Sequence, residues 1–152
     1  MIVICDTREQ KPLNLAHYSS SVRDVVRAKL ITGDYSVRGY EHLLSIERKD
    51  NVGELATNVA EKRFWEEMGR LQKFKYKFVL CSFDVDDILR YPIGTNIPKK
   101  MWPKLKITPG FIMYKISDIQ VGYDIPVIFA GDADNAAYLA VNIMKRMVEI
   151  EK

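Results

Sequence analysis

The sequence predicts an α/β fold, a mixed central β-sheet flanked by helices. Two observations carry that expectation. Short β-branched runs alternate along the chain with stretches of helical period, the pattern of a layered α/β sandwich. The 152 residues, 47% apolar and 11% aromatic, have ordinary globular composition and suffice for one core and one domain.

The elements follow in order. Met1 to Cys5 is a β-branched run ending at Asp6 and reads as a buried strand. Residues 7 to 28 are polar and mixed, with Ser19-Ser20-Ser21 placed to open a short helix through Val22, Val25 and Val26. Lys29 to Val37 and His42 to Lys49 read as two strands joined by a turn at Arg38-Gly39-Tyr40-Glu41. From Asp50 the period becomes helical: Val52, Ala56, Ala60, Phe64, Met68 and Leu71 draw one apolar stripe, capped by Asp50 or Asn51. Tyr76 to Phe83 is a strand, and Asp84-Val85-Asp86 begins a short helix or turn. Pro92, Gly94, Pro98, Pro103, Pro109 and Gly110 mark a long loop over about 90–110, a length usually reserved for function. A helix from about Phe111 to Val121, a strand Ile125 to Ala130 and a helix Asp134 to Glu149 complete the chain.

Composition excludes several classes. Lys plus Arg is 23 against 20 Asp plus Glu, a net charge of +3 that permits a nucleic-acid partner without pointing to one. No apolar run is long enough for a membrane span, and the N-terminus lacks the basic segment and cleavage site of a secretory signal, so an intracellular protein is expected. Cys5 and Cys81 each sit in an apolar run, as free thiols of a reducing compartment do. His17 and His42 have no Cys or His partner at zinc spacing, and neither a Gly-rich phosphate loop nor a serine triad is supported.

The segment richest in chemistry is Gly33-Asp34-Tyr35 followed by Ile46-Glu47-Arg48-Lys49. Alternate side chains of a strand share a face, which puts Glu47 and Lys49 together and Ile46 and Arg48 on the other side. The midpoint of positions 34 and 47 falls between Tyr40 and Glu41, inside the expected turn, so a hairpin sets Asp34 opposite Glu47. Opposed Cβ atoms lie ~4.5–5.5 Å apart, close enough for two carboxylates to share one cation. Such carboxylates repel unless a positive charge lies between them. A hard divalent ion, Mg²⁺ or Mn²⁺, meets that need, with Lys49 placed to hold or activate a water. Asp6, Arg8 and Glu9 follow directly on the first strand, where ligand sites of α/β sheets gather. The bland alternative is an exposed ladder of salt bridges.

Asp6-x-Arg8-Glu9, Gly33-Asp34-Tyr35 and Glu47-Arg48-Lys49, in that order, resemble the nuclease signature of the XPF-type structure-specific endonucleases, a family of the PD-(D/E)XK superfamily. The resemblance implies a restriction-endonuclease-like nuclease fold and a divalent-metal-dependent DNA endonuclease. It makes Asp34 and Glu47 metal ligands, Asp6 a further acidic member of the metal site, and Lys49 the residue that positions the attacking water. Arg8, Glu9 and Arg48 would support them. Arg63, in Glu61-Lys62-Arg63-Phe64, resembles the family's arginine that meets a DNA phosphate. The likeness runs to about residue 145, so a single, complete nuclease domain over 1–152 is expected, without the tandem helix-hairpin-helix domain of larger family members. One departure concerns an Asp that the family often carries four residues after the lysine: Gly53 stands there, with Glu54 next.

The long loop is a candidate DNA contact. Between Ile88 and Ser117 there are six basic residues and no Asp or Glu, with Tyr91 and Trp102 interleaved. Lys99, Lys100 and Lys104 suit phosphates, and Trp102 suits stacking or wedging against a base; the alternative is a solvated loop whose Trp102 plugs the core. The expected substrate is branched, flap or fork DNA in repair, recombination or replication. A catalytically silent DNA-binding or scaffold subunit is the rival reading, disfavoured by the intact Asp34, Glu47 and Lys49. A second rival is a nuclease of the same superfamily acting on duplex sites or Holliday junctions. The last helix, with Tyr138, Val141, Ile143, Met144 and Met147, offers an apolar face for a homodimer or a heteromeric partner, though core packing explains it equally well.

Overall fold

The computed structural model describes residues 1–152. Its strands are β1 (Ile2–Cys5), β2 (Asp24–Arg27), β3 (Tyr35–Val37), β4 (Leu44–Lys49), β5 (Tyr76–Cys81) and β6 (Val127–Phe129). They form one mixed sheet in the order β2-β1-β3-β4-β5-β6. β3 runs antiparallel to both neighbours, while β1 and β2 are parallel, as are β4, β5 and β6. The helices are α1 (Val52–Asn58), α2 (Lys62–Leu71), α3 (Val85–Leu89), α4 (Pro109–Ser117) and α5 (Ala133–Glu151).

Two hydrophobic cores lie on the two faces of the sheet. Ala136, Ala140, Met144 and Met147 of α5 pack on Val3, Cys5, Leu44, Ile46 and Leu80. On the other face α1, α2, α3 and α4 bring Leu55, Met68, Ile88 and Ile112 against Val79 and Cys81. The alternation of Val79, Leu80 and Cys81 between the two cores is the period of a strand buried on both sides. Both cysteines are free and buried. The face of α5 that suggested a partner is mostly core: Val141, Met144 and Met147 are buried, whereas Tyr138 is exposed. No helix is long and apolar enough to cross a membrane.

Several boundaries differ from expectation, each for a physical reason. The stretch around Ser19 to Val26 holds a 3₁₀ turn at Ala16–Tyr18 and then β2, because Val25 and Val26 pair in parallel with Val3 and Ile4. The strand expected from Lys29 begins only at Tyr35. Residues 28–34 turn instead toward the end of β1, where the Leu30 N–H donates to Asp6 and the Leu30 carbonyl accepts from Arg8. The single helix from Asp50 to Leu71 is two, with Glu61 extended (φ −105°, ψ 129°) before α2 and the Trp65 indole donating to the Val59 carbonyl. Ala60, placed on the apolar stripe by spacing, is exposed at this break. Asn51 caps α1 by accepting from the Glu54 N–H, and Asp84 caps α3. The helix expected from Phe111 begins earlier, at Pro109 behind the Thr108 cap, and ends in a π-helical turn. The long loop contains a 3₁₀ helix over Lys99–Lys104.

Candidate active site

The register of the central hairpin builds the site. Tyr35 pairs with Ile46, which puts Asp34, one step on, across from Glu47. The Asp34 N–H donates to the Ile46 carbonyl at 2.8 Å, and its Oδ2 accepts from the Arg48 N–H at 2.7 Å. Gly33 makes this approach possible. Its φ of +84° belongs to glycine, and a Cβ there would stand 2.2 Å from Ser45 Oγ and 3.1 Å from the Ile46 carbonyl. Lys49 Nζ lies 3.1 Å from Glu47 Oε1 and 3.6 Å from Glu54 Oε1, with the Phe64 ring 5.2 Å away. Glu47 Oε2 is buried and has no hydrogen-bond partner.

Two cavities meet at this pair. One, of ≈ 430 Å³, is lined by Arg8, Glu9, Arg48 and Asp50 as well as Asp34 and Glu47. The other, of ≈ 280 Å³, adds Lys49, Arg63, Glu67 and Arg70. Arg63, Glu67 and Arg70, spaced by four and three, share one face of α2 and turn it to the site. Glu67 and Arg70 escaped the reading of the sequence, although their spacing from Arg63 was a usable signal. Glu54, set aside as a displaced acid, reaches Lys49 after all.

Arg48 points away from Glu47 and Lys49, as strand alternation requires. It is buried and donates to Ser82 Oγ at 3.0 Å, Asp50 Oδ1 at 2.8 Å and the Lys11 carbonyl, with Glu9 Oε2 3.6 Å away. Asp6, expected as a further acidic member of the metal site, makes its contacts within the protein. Its Oδ2 accepts from the N–H and Nε of Arg8 at 2.9 and 2.7 Å, and its Oδ1 accepts from the Leu30 N–H at 2.7 Å and Arg8 Nη2 at 3.2 Å. Both oxygens are thereby spent inside the protein, and neither cavity is lined by Asp6.

Burial and like charge shape the electrostatics. Burial pushes the Asp34 carboxyl up to about 7, and the charges of Glu9 and Glu67 push the same way against the Arg48 N–H and Lys49. Burial, reinforced by Asp34 and Glu67, also raises Glu47 well above the usual carboxylate value. Burial opposes the charge on Lys49, but Glu47 and Glu54 outweigh it and raise its pKa, so the side chain is an ammonium. Asp6 moves oppositely: burial is outweighed by its hydrogen bonds from Arg8 and Leu30, and its pKa is lowered.

Residues 5–143 match the ERCC4 domain. The chain belongs to the ERCC4 domain family. Among solved structures it is similar to XPF from Aeropyrum pernix, with a TM-score of 0.71 at 19% identity over 97% of this chain and 61% of that one. It is likewise similar to XPF from Aeropyrum pernix in complex with DNA, with a TM-score of 0.67 at 20% identity over 99% of this chain and 66% of that one. The chain thus spans less than two thirds of the length of either. Comparison with curated protein sequences gives no match. The fold of this ERCC4 domain is restriction-endonuclease-like, a mixed sheet with helices on both faces.

The ERCC4 domain carries its basic loop beside the site. Lys99, Lys100 and Lys104 are exposed on the 3₁₀ helix. Trp102 is half-buried, its indole N–H donates to the Ile97 carbonyl at 3.0 Å, and Lys99 lies 6.0 Å from its ring. It braces the loop. Arg63 is largely exposed, 3.3 Å from Glu61. A third groove, of ≈ 1020 Å³, runs from Asp50 and Glu54 along α1 to the loop.

Proposed function

We propose that this ERCC4 domain is a divalent-metal-dependent DNA endonuclease that cuts branched, flap or fork DNA. One observation carries the reading: Asp34 and Glu47 face each other in a polar cavity, and Glu47 Oε2 is buried there without a partner. An orphaned buried carboxylate oxygen is costly unless a cation or proton meets it. The donors are hard oxygens, two carboxylates rather than a cluster of three or more metal-binding side chains. That fits Mg²⁺ or Mn²⁺, which one or two carboxylates hold alongside water and substrate phosphate. Asp34 and Glu47 are the residues that would hold it.

A bound ion supplies positive charge between the carboxylates and Lewis acidity at the scissile phosphate. The protein's own residues do the rest. The Arg48 N–H fixes Asp34, and Glu47 and Glu54 hold Lys49 as an ammonium, a donor that orients the attacking water and offsets charge in the transition state. Water attacks phosphorus, the P–O bond to the leaving oxygen breaks, and a proton ends on that oxygen. Arg8, Arg63 and Arg70 line the cavities and are the cations available to flanking phosphates. Lys99, Lys100 and Lys104 extend that contact along the loop. DNA bound to the Aeropyrum pernix relative supports the choice of substrate.

The test is a panel of labelled single-stranded, duplex, flap, fork and four-way DNA with Mg²⁺, Mn²⁺ or EDTA, run beside Lys49→Ala. Metal-dependent cutting, lost in the variant, is expected. Binding without cutting by the wild type would instead indicate a silent DNA-binding subunit.

A further inference from the structure

We infer that a ≈ 350 Å³ pocket beside residues 28–32, apart from the candidate active site, binds a small aromatic carboxylate. The sheet creates this pocket. Val3 and Cys5 of β1 pack into the core beneath α5, so Ile4 between them faces the other way. The helices of that second face pack on β5 and β6. Over β1 the pocket is walled instead by Leu30, from the segment after β2, and by Phe74, from the turn between α2 and β5.

Three features define the occupant. Its body is apolar and flat, because Ile4 and Leu30 are buried walls and Phe74 offers a half-buried ring. It carries a hydrogen-bonding group. Thr32 lines the pocket at 4% exposure, and its Oγ1 is buried without a partner. The Thr32 carbonyl already accepts from Ser45 Oγ at 2.9 Å, so the main chain is pinned and the hydroxyl is left open. A buried hydroxyl in that state is costly, and a donor on the ligand relieves it.

The third feature is negative charge. Lys29 and Arg38 line the pocket, both exposed and neither ion-paired within the protein. Against them stands Glu41 alone, with one oxygen accepting from the Gly39 N–H at 2.7 Å. A carboxylate on the ligand meets the two cations. A phosphodiester strand would meet them too, but would leave the apolar walls and the Thr32 hydroxyl unfilled. Size narrows the class further. Ligand pockets span ~300–1,000 Å³, and this one, at the small end, takes one ring or two fused ones.

The pocket shares Ile31, and no other residue, with the ≈ 280 Å³ cavity of the candidate active site. From Thr32 the chain runs directly into Gly33 and Asp34. An occupant therefore bears on the segment that delivers the first acid of that site.

The experiment titrates the full chain in EDTA with three probes, followed by amide NMR shifts. Indole-3-acetate supplies a flat ring, a ring N–H and a carboxylate; indole lacks the carboxylate, and 1-methylindole-3-acetate lacks the donor. Saturable binding of indole-3-acetate is expected, with shifts centred on Leu30, Ile31 and Thr32. Affinity should drop about tenfold for indole and about fivefold for the methylated acid. Lys29→Ala combined with Arg38→Ala should erase the preference for acid over indole. Thr32→Val should erase the preference for a free ring N–H; should that variant not fold by circular dichroism, the two acids compared on the wild type still test the hydroxyl. No saturation by about 10 mM, or shifts centred elsewhere, overturns the inference. Equal affinity for all three probes overturns it too, leaving a plain apolar pocket. DNA cutting plays no part in these readouts, so the nuclease reading stands or falls separately.

Discussion

The backbone N–H of Arg48 donates to Asp34 Oδ2 at 2.7 Å, so the strand that carries Glu47 and Lys49 also fixes the carboxylate facing them. The same residue's side chain leaves on the opposite face and ties β4 to Ser82, Asp50 and the Lys11 carbonyl. Arg48 thus joins the two acids through its main chain and anchors their strand through its guanidinium.

Removing that anchor is expected to unfold the site before it affects chemistry. Arg48→Ala leaves the Asp50 and Glu9 carboxylates without their shared cation, and breaking a buried pair costs about 3–5 kcal/mol. Urea unfolding measures it. A loss under about 1 kcal/mol would mean that the guanidinium is dispensable to the fold.

Asp34→Asn and Lys49→Ala act oppositely, with cutting abolished and folding kept. Asp34→Asn also removes one of two mutually repelling buried carboxylates, so the metal-free variant is expected to be at least as stable as the wild type. Near-normal cleavage by either variant would refute the assignment of the site.

The raised carboxyls give a pH signature. A carboxyl whose pKa rises on folding binds its proton more tightly in the native state, so stability is fullest below the unfolded value and declines as pH climbs through the folded one. For Asp34 that window runs from its ordinary 3.8 to about 7, and Glu47 shifts the same way. In EDTA, stability relative to Asp34→Asn is expected to fall by on the order of 2–4 kcal/mol across that window. Added Mn²⁺ near pH 7.5 should reverse the fall. A wild-type advantage that grew with pH would contradict the sign.

Gly33 tests how tightly the acids are positioned. Gly33→Ala forces a left-handed φ on a β-carbon and drives it against Ser45 and the Ile46 carbonyl. A loss of about 2 kcal/mol or more is expected, together with a drop in cleavage, because Asp34 is the next residue. Unchanged melting and activity would show that the hairpin yields freely.

For the loop, exchanging Lys99, Lys100 and Lys104 for Ala should weaken DNA binding and flatten its salt dependence. Each lost phosphate contact lowers the slope by roughly 0.7–0.9, so three lower it by about two. The same slope in wild type and variant would exclude these lysines from the interface.

Much of the site was legible because a hairpin register is arithmetic. A turn centred at Tyr40 and Glu41 fixed the opposition of Asp34 and Glu47, and alternation separated Lys49 from Arg48. The partners of Asp6, Arg8 and the Leu30 N–H, were not legible because they depend on how residues 28–34 fold back, which no local pattern encodes. β2 was taken for helix because serines near Val22 imitate a cap, whereas pairing with β1 decides the matter. Glu67 was overlooked because its role comes from the angle of α2, and the break before α2 interrupts a stripe that reads as continuous. The hydrogen bond from Trp102 to the Ile97 carbonyl was not legible, because its acceptor is a backbone atom without a sequence signature.

The break at Val59–Glu61 divides the labour within the cleft. Were the helix unbroken, Glu54 and Glu67 would stand roughly 20 Å apart along its axis, by ~1.5 Å per residue; divided, the two segments bring both to one cleft. Asp34 and Glu47 form its floor on sheet hydrogen bonds, while the walls hang on separately anchored helices. Insertions or substitutions in that short joint can therefore reshape the opening and leave the Asp34–Glu47 floor untouched.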